Sequence, residues 1–322
     1  MSAGTGSDRL SPQRHEAIRR LIGTVHLEQS LPQERPRAII IAGQPGAGKE
    51  GFAKDAQREL AETGGAVLID PDRLRQWHPS YGRLLREDDK AAAERVHADA
   101  SQWAKELRRD AIEGRRNIVL DATLNDKDKA RELLGQLRNA GYEIEVRALA
   151  VHQRDSRQGV HARYENAKAQ GGAARWVPEG AQDEAYNGMP VALGHIERNG
   201  WADKISVVRR DGTVVYRNER AATATSGLSQ IAVLAERARD PTVEEKQRHL
   251  RGWDKIRAQM AARGADAVDL AQMSLYRREA QDQLGAPSHG RSVPVSRPGA
   301  ESIRAVSAAQ KARQDAGHRP DR

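Results

Sequence analysis

Residues 37–52 read RAIIIAGQPGAGKEGF, and this stretch decides the fold. Ala38–Ala42 is a short apolar run with three consecutive isoleucines, the pattern of a strand buried on both faces. Gly43, Gln44, Pro45, Gly46, Ala47, Gly48 and Lys49 follow at once and match G-x-x-x-x-G-K. Spacing from Lys49 to about Thr63 predicts a helix. Glycines let the backbone curl so that successive N–H groups face inward as an anion nest. The helix start adds about half a positive charge, and Lys49 is placed to reach the β- and γ-phosphates of a nucleotide. The pattern alone arises by chance in roughly one chain in ten of this length. The weight therefore rests on its context, a strand before and a helix after.

The next position departs from the motif. Ser or Thr normally follows the lysine and offers a hydroxyl to Mg²⁺, and here Glu50 stands instead. A carboxylate is a good Mg²⁺ ligand. It is also negative, and two like charges about 4 Å apart repel by about 4 kcal/mol at an effective dielectric of about 20. Three outcomes stay open: Glu50 binds the metal, it turns away, or it impairs the site.

Outward from this stretch, strands and helices alternate. Ala66–Ile69, Ile118–Leu120 and Glu143–Val151 read as further strands, with helices expected over Ala91–Gly114 and Lys127–Ala140. Such alternation predicts an α/β fold, a P-loop NTPase-type mostly parallel sheet flanked by helices. Ile205–Val208 and Thr213–Tyr216, joined by Arg210-Asp211-Gly212, read as a closing hairpin. Before the first strand, residues 1–35 form a helical and flexible segment, with helical spacing over Pro12–Leu31. The kinase-like domain is expected over 36–220. Charged helical stretches at Leu228–Arg239, Thr242–Arg263 and Asp266–Gln283 make a helical extension over 221–284. Residues 285–322 are rich in Pro, Gly, Ser and Arg, carry seven Lys/Arg against three Asp/Glu, and read as a disordered basic tail.

Composition bounds the function. Charged residues make up 30% of the chain and mean hydropathy is −0.77, so no membrane span is expected and a core is feasible for only part of the chain. The N-terminal MSAGTGSDRL has no apolar run after a basic one, so no signal peptide is expected. Cys is absent, which excludes disulfides and thiolate metal sites and fits a cytoplasmic protein. The net charge of +8 fits either an evenly solvated Arg-rich surface or a site for an anion.

In a parallel α/β sheet the carboxyl ends of the strands face the ligand crevice. Asp70 and Asp72 follow the second strand, and Asp121 and Thr123 close the third. A carboxylate there can accept the proton of an attacking hydroxyl or cap a helix. Arg163 falls on a helix after the fourth strand, and Arg175 lies in a Gly-rich segment twelve residues on. An arginine over the nucleotide can neutralise a phosphoryl in transfer, and either can equally be a surface charge. His78 alone reads as structural.

Together these pieces resemble the zeta toxin family of P-loop kinases from bacterial toxin–antitoxin systems. The resemblance covers about Ala38 to Asn218. It rests on GQPGAGK at 43–49, I-D-x-D at 69–72, H-P-x-Y at 78–81, D-A-T at 121–123, R-Y-E at 163–165, R-x-x-P at 175–178 and the closing strand at 213–216. It implies an ATP- and Mg²⁺-dependent enzyme that phosphorylates the 3′-hydroxyl of the amino sugar in UDP-N-acetylglucosamine, with an antitoxin as protein partner. By position, Lys49 takes the place of the phosphate-binding lysine, Asp72 that of the general base, and Arg163 and Arg175 those of two arginines that contact ATP phosphates. Asp121 stands where the family usually has Glu in its substrate-binding strand end, and Asn125 where an Arg often follows. Two other classes remain: a P-loop kinase acting on another hydroxyl such as a nucleic-acid end, and a nucleotide-binding module made inert by Glu50.

Overall fold

The structure is a computed structural model and describes residues 8–172, 174–219, 221 and 226–285. The expected tail over 285–322 lies, past Gly285, outside the described residues. A helix α1 (Pro12–Leu27) leads into strand β1 (Arg37–Ala42) and helix α2 (Lys49–Ala61), then β2 (Val67–Ile69). Three short helices follow, α3 (Pro71–Leu74), α4 (Tyr81–Glu87) and α5 (Asp89–Arg95), and then α6 (His97–Glu113). The alternation resumes with β3 (Ile118–Ala122), α7 (Lys127–Asn139), β4 (Glu143–Leu149), α8 (Gln153–Ala169) and α9 (Glu179–Arg198). Strands β5 (Lys204–Val208) and β6 (Val214–Asn218) close the sheet, and α10 (Leu228–Ala238), α11 (Val243–Ala262) and α12 (Ala267–Gly285) complete the described chain.

The sheet order is β2-β3-β1-β4-β5-β6, parallel throughout except for the antiparallel β5–β6 hairpin. This is the expected α/β class. β1 sits centrally and is buried on both faces. Ala38, Ile40 and Ala42 face one core with Trp103, Leu134 and Ile196, while Ile39 and Ile41 face a second with Ala56, Leu60 and Leu149. The chain leaves β1 towards β2 and β3 on one side and later returns to β4 on the other. A crevice opens where that direction reverses, at the carboxyl end of β1.

One local expectation differs from the structure, and two helical stretches were not expected. The helix expected over Ala91–Gly114 is two helices, broken at Val96 (φ −106°, ψ 2°), whose fully buried side chain packs with Tyr81, Leu84 and Ala92. That small core turns the chain, and tertiary burial overrides helical continuity. Helix α9 had no expectation at all. Gly180, Gly188, Gly194 and Pro190 lower its intrinsic propensity, and burial of Met189, Leu193 and Ile196 supplies what propensity lacks. The short helices between β2 and α6 are likewise too brief to show a period.

The flanking segments pack on this sheet. α1 lies along α6, where His15 stacks on Trp103 (centroids 5.1 Å apart) and Arg19 pairs with Asp110 at 2.6 Å. α10 packs on α9, β5 and β6, and α11 packs on α8. Among the described residues no helix is long and apolar enough to cross a membrane.

Candidate active site at the carboxyl end of the sheet

The segment between β1 and α2 forms a loop whose shape depends on two glycines with positive φ, Gly46 (78°) and Gly48 (98°). Gly48 is the N-cap of α2 and makes no side-chain capping bond, so the first N–H groups of that helix are left for an anion. Gly46 also permits close approach of α8. A Cβ at Gly46 would fall 2.9 Å from the amide nitrogen of Val160 and closer still to the carbonyl oxygen of Ser156. Gly159 on α8 is the reciprocal case, pressed against the Gly46 carbonyl.

The loop edges an open cleft of about 1920 Å³. Strand register brings the first acceptor-side residue to it. Ile41 pairs with Asp121, so the Asp121 carboxylate emerges beside the start of the loop. Lys49 Nζ lies 3.3 Å from Asp121 Oδ1 and donates to the Gly43 carbonyl at 2.7 Å. Burial pushes the Asp121 carboxyl up; Lys49 opposes this and the neighbouring charge of Asp70 adds to it.

The two aspartates after β2 divide their work. Asp70 is the N-cap of α3, accepting from the Asp72 amide at 2.9 Å. The Asp72 side chain is thereby free to face the cleft, where it pairs with Arg175 and, at 2.8 Å, with Arg75. Burial pushes the Arg175 guanidinium down to about 10, so it stays charged at neutral pH. Arg163, from the buried side of α8, also lines the cleft. Its Nε and Nη2 are buried with no hydrogen-bond partner, and burial lowers its pKa while Asp121 and Asp70 oppose that shift. A guanidinium with two enclosed, unsatisfied nitrogens is a site short of an anion.

Glu50 turns along α2. Its carboxylate pairs with Lys54 at 3.0 Å and Arg73 at 3.3 Å, and with the side chain 64% exposed the carboxyl is held below its usual range chiefly by the Lys54 hydrogen bond. Exposed pairs of this kind are worth about 0–1 kcal/mol each, so the side chain can leave them at little cost. Thr123 lines the cleft, with its hydroxyl donating to Asn125 Oδ1 at 2.9 Å. Asn125 in turn donates to Glu184 of α9 at 2.7 Å. His78 is 2% exposed, bonded to the Asp8 carbonyl at 3.1 Å and near Asp99, and is structural as expected.

The structure thus gathers Gln44–Glu50, Asp72, Asp121, Thr123, Arg163 and Arg175 around one cleft, while Gly43 does not line it and contributes the carbonyl that holds Lys49. Two further residues had no local signal. Arg75, which holds Asp72, is one of many arginines in the chain. Arg210, at the β5–β6 turn, donates to the carbonyls of Gly46, Ala47 (3.2 Å) and Asp155 (3.2 Å) and braces the loop against α8. Among the described residues no group of three or more His, Cys, Asp or Glu could hold a metal unaided. Hard oxygen donors are nevertheless present at the cleft in Glu50, Asp70 and Asp121, which suits a cation that takes its remaining ligands from phosphate and water.

Comparison with known proteins places the chain in a family and a fold. The Zeta toxin family model matches residues 24–221. Toxin PezT of Streptococcus pneumoniae is 27% identical over 224 residues, 69% of this chain and 87% of that protein. Toxin zeta of Enterococcus hirae is 27% identical over 184 residues, 57% of this chain and 64% of that protein, just under two thirds of its length. Among solved structures, one from the PezAT chromosomal toxin–antitoxin system of Streptococcus pneumoniae superposes with a TM-score of 0.66 at 20% identity, covering 80% of this chain and all of the other. The AvrRxo1-ORF1:-ORF2 complex with ATP gives 0.52 at 12% identity, covering 88% and 95%. A family match over more than half of the chain, on a mostly parallel sheet whose β1–α2 loop carries the glycine-rich run ending in Lys49, makes this chain a member of the zeta toxin family.

Proposed function

We propose that this protein is an ATP-dependent phosphotransferase that moves the γ-phosphoryl group to the 3′-hydroxyl of the amino sugar in UDP-N-acetylglucosamine. The observation that carries the reading is Arg163, which lines the same cleft as the phosphate loop and Lys49 and has two enclosed guanidinium nitrogens with no hydrogen-bond partner. Family membership supports a kinase-like toxin, and the sugar nucleotide comes from the family resemblance. The kinase unit of this reading is residues 36–220, with 1–35 and 221–284 flanking it.

Two of the cationic groups are held by the protein's own oxygens. Lys49 rests on the Gly43 carbonyl and Asp121, and Arg175 rests on Asp72. A triphosphate in the loop offers Lys49 and Arg175 a better partner and draws them off those carboxylates. Asp72, still held by Arg75, then accepts the acceptor's hydroxyl proton. The new oxygen–phosphorus bond forms as the bond from the γ-phosphorus to the bridging oxygen breaks, and ADP leaves. Arg163 and Arg175 neutralise the charge spread over the transferring group. Asp121 and Thr123 orient the acceptor. Bound Mg²⁺ would supply further neutralisation of the phosphates, with Glu50 swinging from Lys54 to serve it.

A neighbouring antitoxin is the expected protein partner, in line with the PezAT toxin–antitoxin system to which one similar structure belongs. The test is mass detection of a singly phosphorylated sugar nucleotide from UDP-N-acetylglucosamine, ATP and Mg²⁺. Phosphate transfer to an oligonucleotide end, and none to the sugar nucleotide, overturns the assignment of acceptor.

A further inference from the structure

The family match ends at residue 221, yet a residue beyond it reaches into the phosphate loop. Arg237 lies in the last turn of α10 and is 5% exposed. Its Nη2 donates to Gln44 Oε1 at 2.9 Å, and its Nη1 donates to the Tyr186 carbonyl of α9 at 2.5 Å. The guanidinium carbon lies 4.0 Å from the centroid of the Tyr186 ring. Gln44 is fully buried, and its Nε2 donates to the Val151 carbonyl at 2.9 Å, just past the end of β4. The amide of Gln44 is therefore gripped at both ends, by the main chain after β4 and by a cation from α10.

This cation is unusual in its surroundings. Most buried arginines are paired with a carboxylate, as the buried Arg75 is with Asp72. Arg237 has a carbonyl, an amide oxygen and a π-face. Burial lowers its pKa to about 10, which leaves it charged at neutral pH. A buried charge without a counter-ion is costly, and its field is little screened. It sits behind a loop that is itself shaped to receive an anion, so the missing negative charge is the one the nucleotide brings.

We propose that Arg237 is a positioning residue for nucleotide binding: through Gln44 it fixes the phosphate loop, so that the nucleotide site of this chain is completed by its C-terminal helices. The inference rests on the proposed function only in taking the loop's ligand to be a nucleotide. Residues 221–284 are then part of the binding unit and not an attachment to it.

The test compares Arg237→Met, Arg237→Lys and Val233→Ala in the full chain. Val233 is fully buried in α10 within the main hydrophobic core and has no polar group to offer Gln44, so it reports the effect of loosening the helix. Calorimetric titration with ATP and no acceptor should show Arg237→Met weakened about tenfold or more, as expected when a hydrogen bond from a charged donor is lost. Arg237→Lys should recover part of that loss, and Val233→Ala should lower the melting temperature with ATP affinity within about twofold of wild type. Amide hydrogen exchange without nucleotide should be faster in peptides covering 43–50 for Arg237→Met and unchanged there for Val233→Ala. Unchanged loop exchange in Arg237→Met, or equal weakening by Val233→Ala, overturns the inference. Absence of ATP binding by the wild type sinks the proposed function instead, while the exchange comparison still decides the role of Arg237.

Discussion

Gly159→Ala puts sequence-level and tertiary reasoning in direct opposition. Gly159 lies inside α8, where replacing glycine by alanine normally stabilises a helix by about 0.5–1 kcal/mol. The structure predicts the reverse. A Cβ at this position would fall 3.1 Å from the Gly46 carbonyl carbon, closer still to its oxygen, and 3.0 Å from Arg210 Nη2. The atom it meets is backbone of the phosphate loop, so relief requires α8 and the loop to part by roughly 1 Å. Overpacking of this kind costs about 1–3 kcal/mol, which leaves a net loss of up to about 2.5 kcal/mol, or up to roughly 10 °C in melting temperature. Displacement of the loop by about 1 Å further predicts a loss of ATP turnover on the order of a hundredfold. Gly135→Ala is the internal control. Gly135 lies in α7, and a methyl added there would meet nothing within 4 Å, so the variant should gain the ordinary increment of about 0.5–1 kcal/mol, or about 1–4 °C. Thermal unfolding and steady-state kinetics of the two variants read both quantities. A Gly159→Ala protein that is stabilised like Gly135→Ala, with turnover intact, refutes the claim that α8 and the loop are in limiting contact.

Asp72→Asn should abolish phosphoryl transfer with little change in ATP affinity, and equal turnover by that variant removes Asp72 as the base. Arg175→Ala should slow transfer by about 10³–10⁵, measured as kcat at saturating ATP, whereas a loss below about tenfold leaves no arginine-finger role for it. Glu50→Thr gives up only exposed ion pairs, so its stability should stay within about 1–2 kcal/mol of wild type by denaturant titration. Wild type should consume ATP as well. Consumption by Glu50→Thr alone would identify the natural chain as an inert nucleotide binder. His161, enclosed by Trp176, Trp253 and Tyr276, has its pKa lowered to about 4, mainly by burial; Glu165 and Glu179 oppose the shift and Arg157 and Lys90 add to it. The fold therefore holds it neutral while the unfolded chain protonates near 6.5. Its contribution is present above that value and is lost as pH falls towards about 4. Between about pH 7.5 and 4.5 the wild type should lose about 2–3 kcal/mol more stability than His161→Gln, and parallel pH profiles would show that the ring does not titrate in this way.

The strand–loop–helix at 37–61 was legible because everything it needs is local. An apolar β-branched run, glycines at the two positions of positive φ, and a lysine opening a helix are adjacent in the chain. Helix α9 was not legible, because its glycines and proline speak against it locally and burial against α7, α10 and the sheet speaks for it globally. The aspartates show the same division. Spacing alone left Asp70 and Asp72 interchangeable as cap or functional carboxylate, and only the family resemblance singled out Asp72; backbone geometry at the start of α3 gave the cap to Asp70 and turned Asp72 to Arg175 and Arg75.

By itself, the sequence determined the sheet class, the phosphate loop and the identity of the side chains around it, since these follow from period, backbone permissiveness and chemistry within short windows. Only the tertiary structure decided which charges meet. The pairing of Lys49 with Asp121, the burial of Arg163 at the cleft wall, and the reach of Arg237 to Gln44 across 193 positions of chain depend on strand register and helix packing. No short window of sequence contains both partners, and in a chain this rich in arginine nothing but position separates a buried, directed guanidinium from a solvated one.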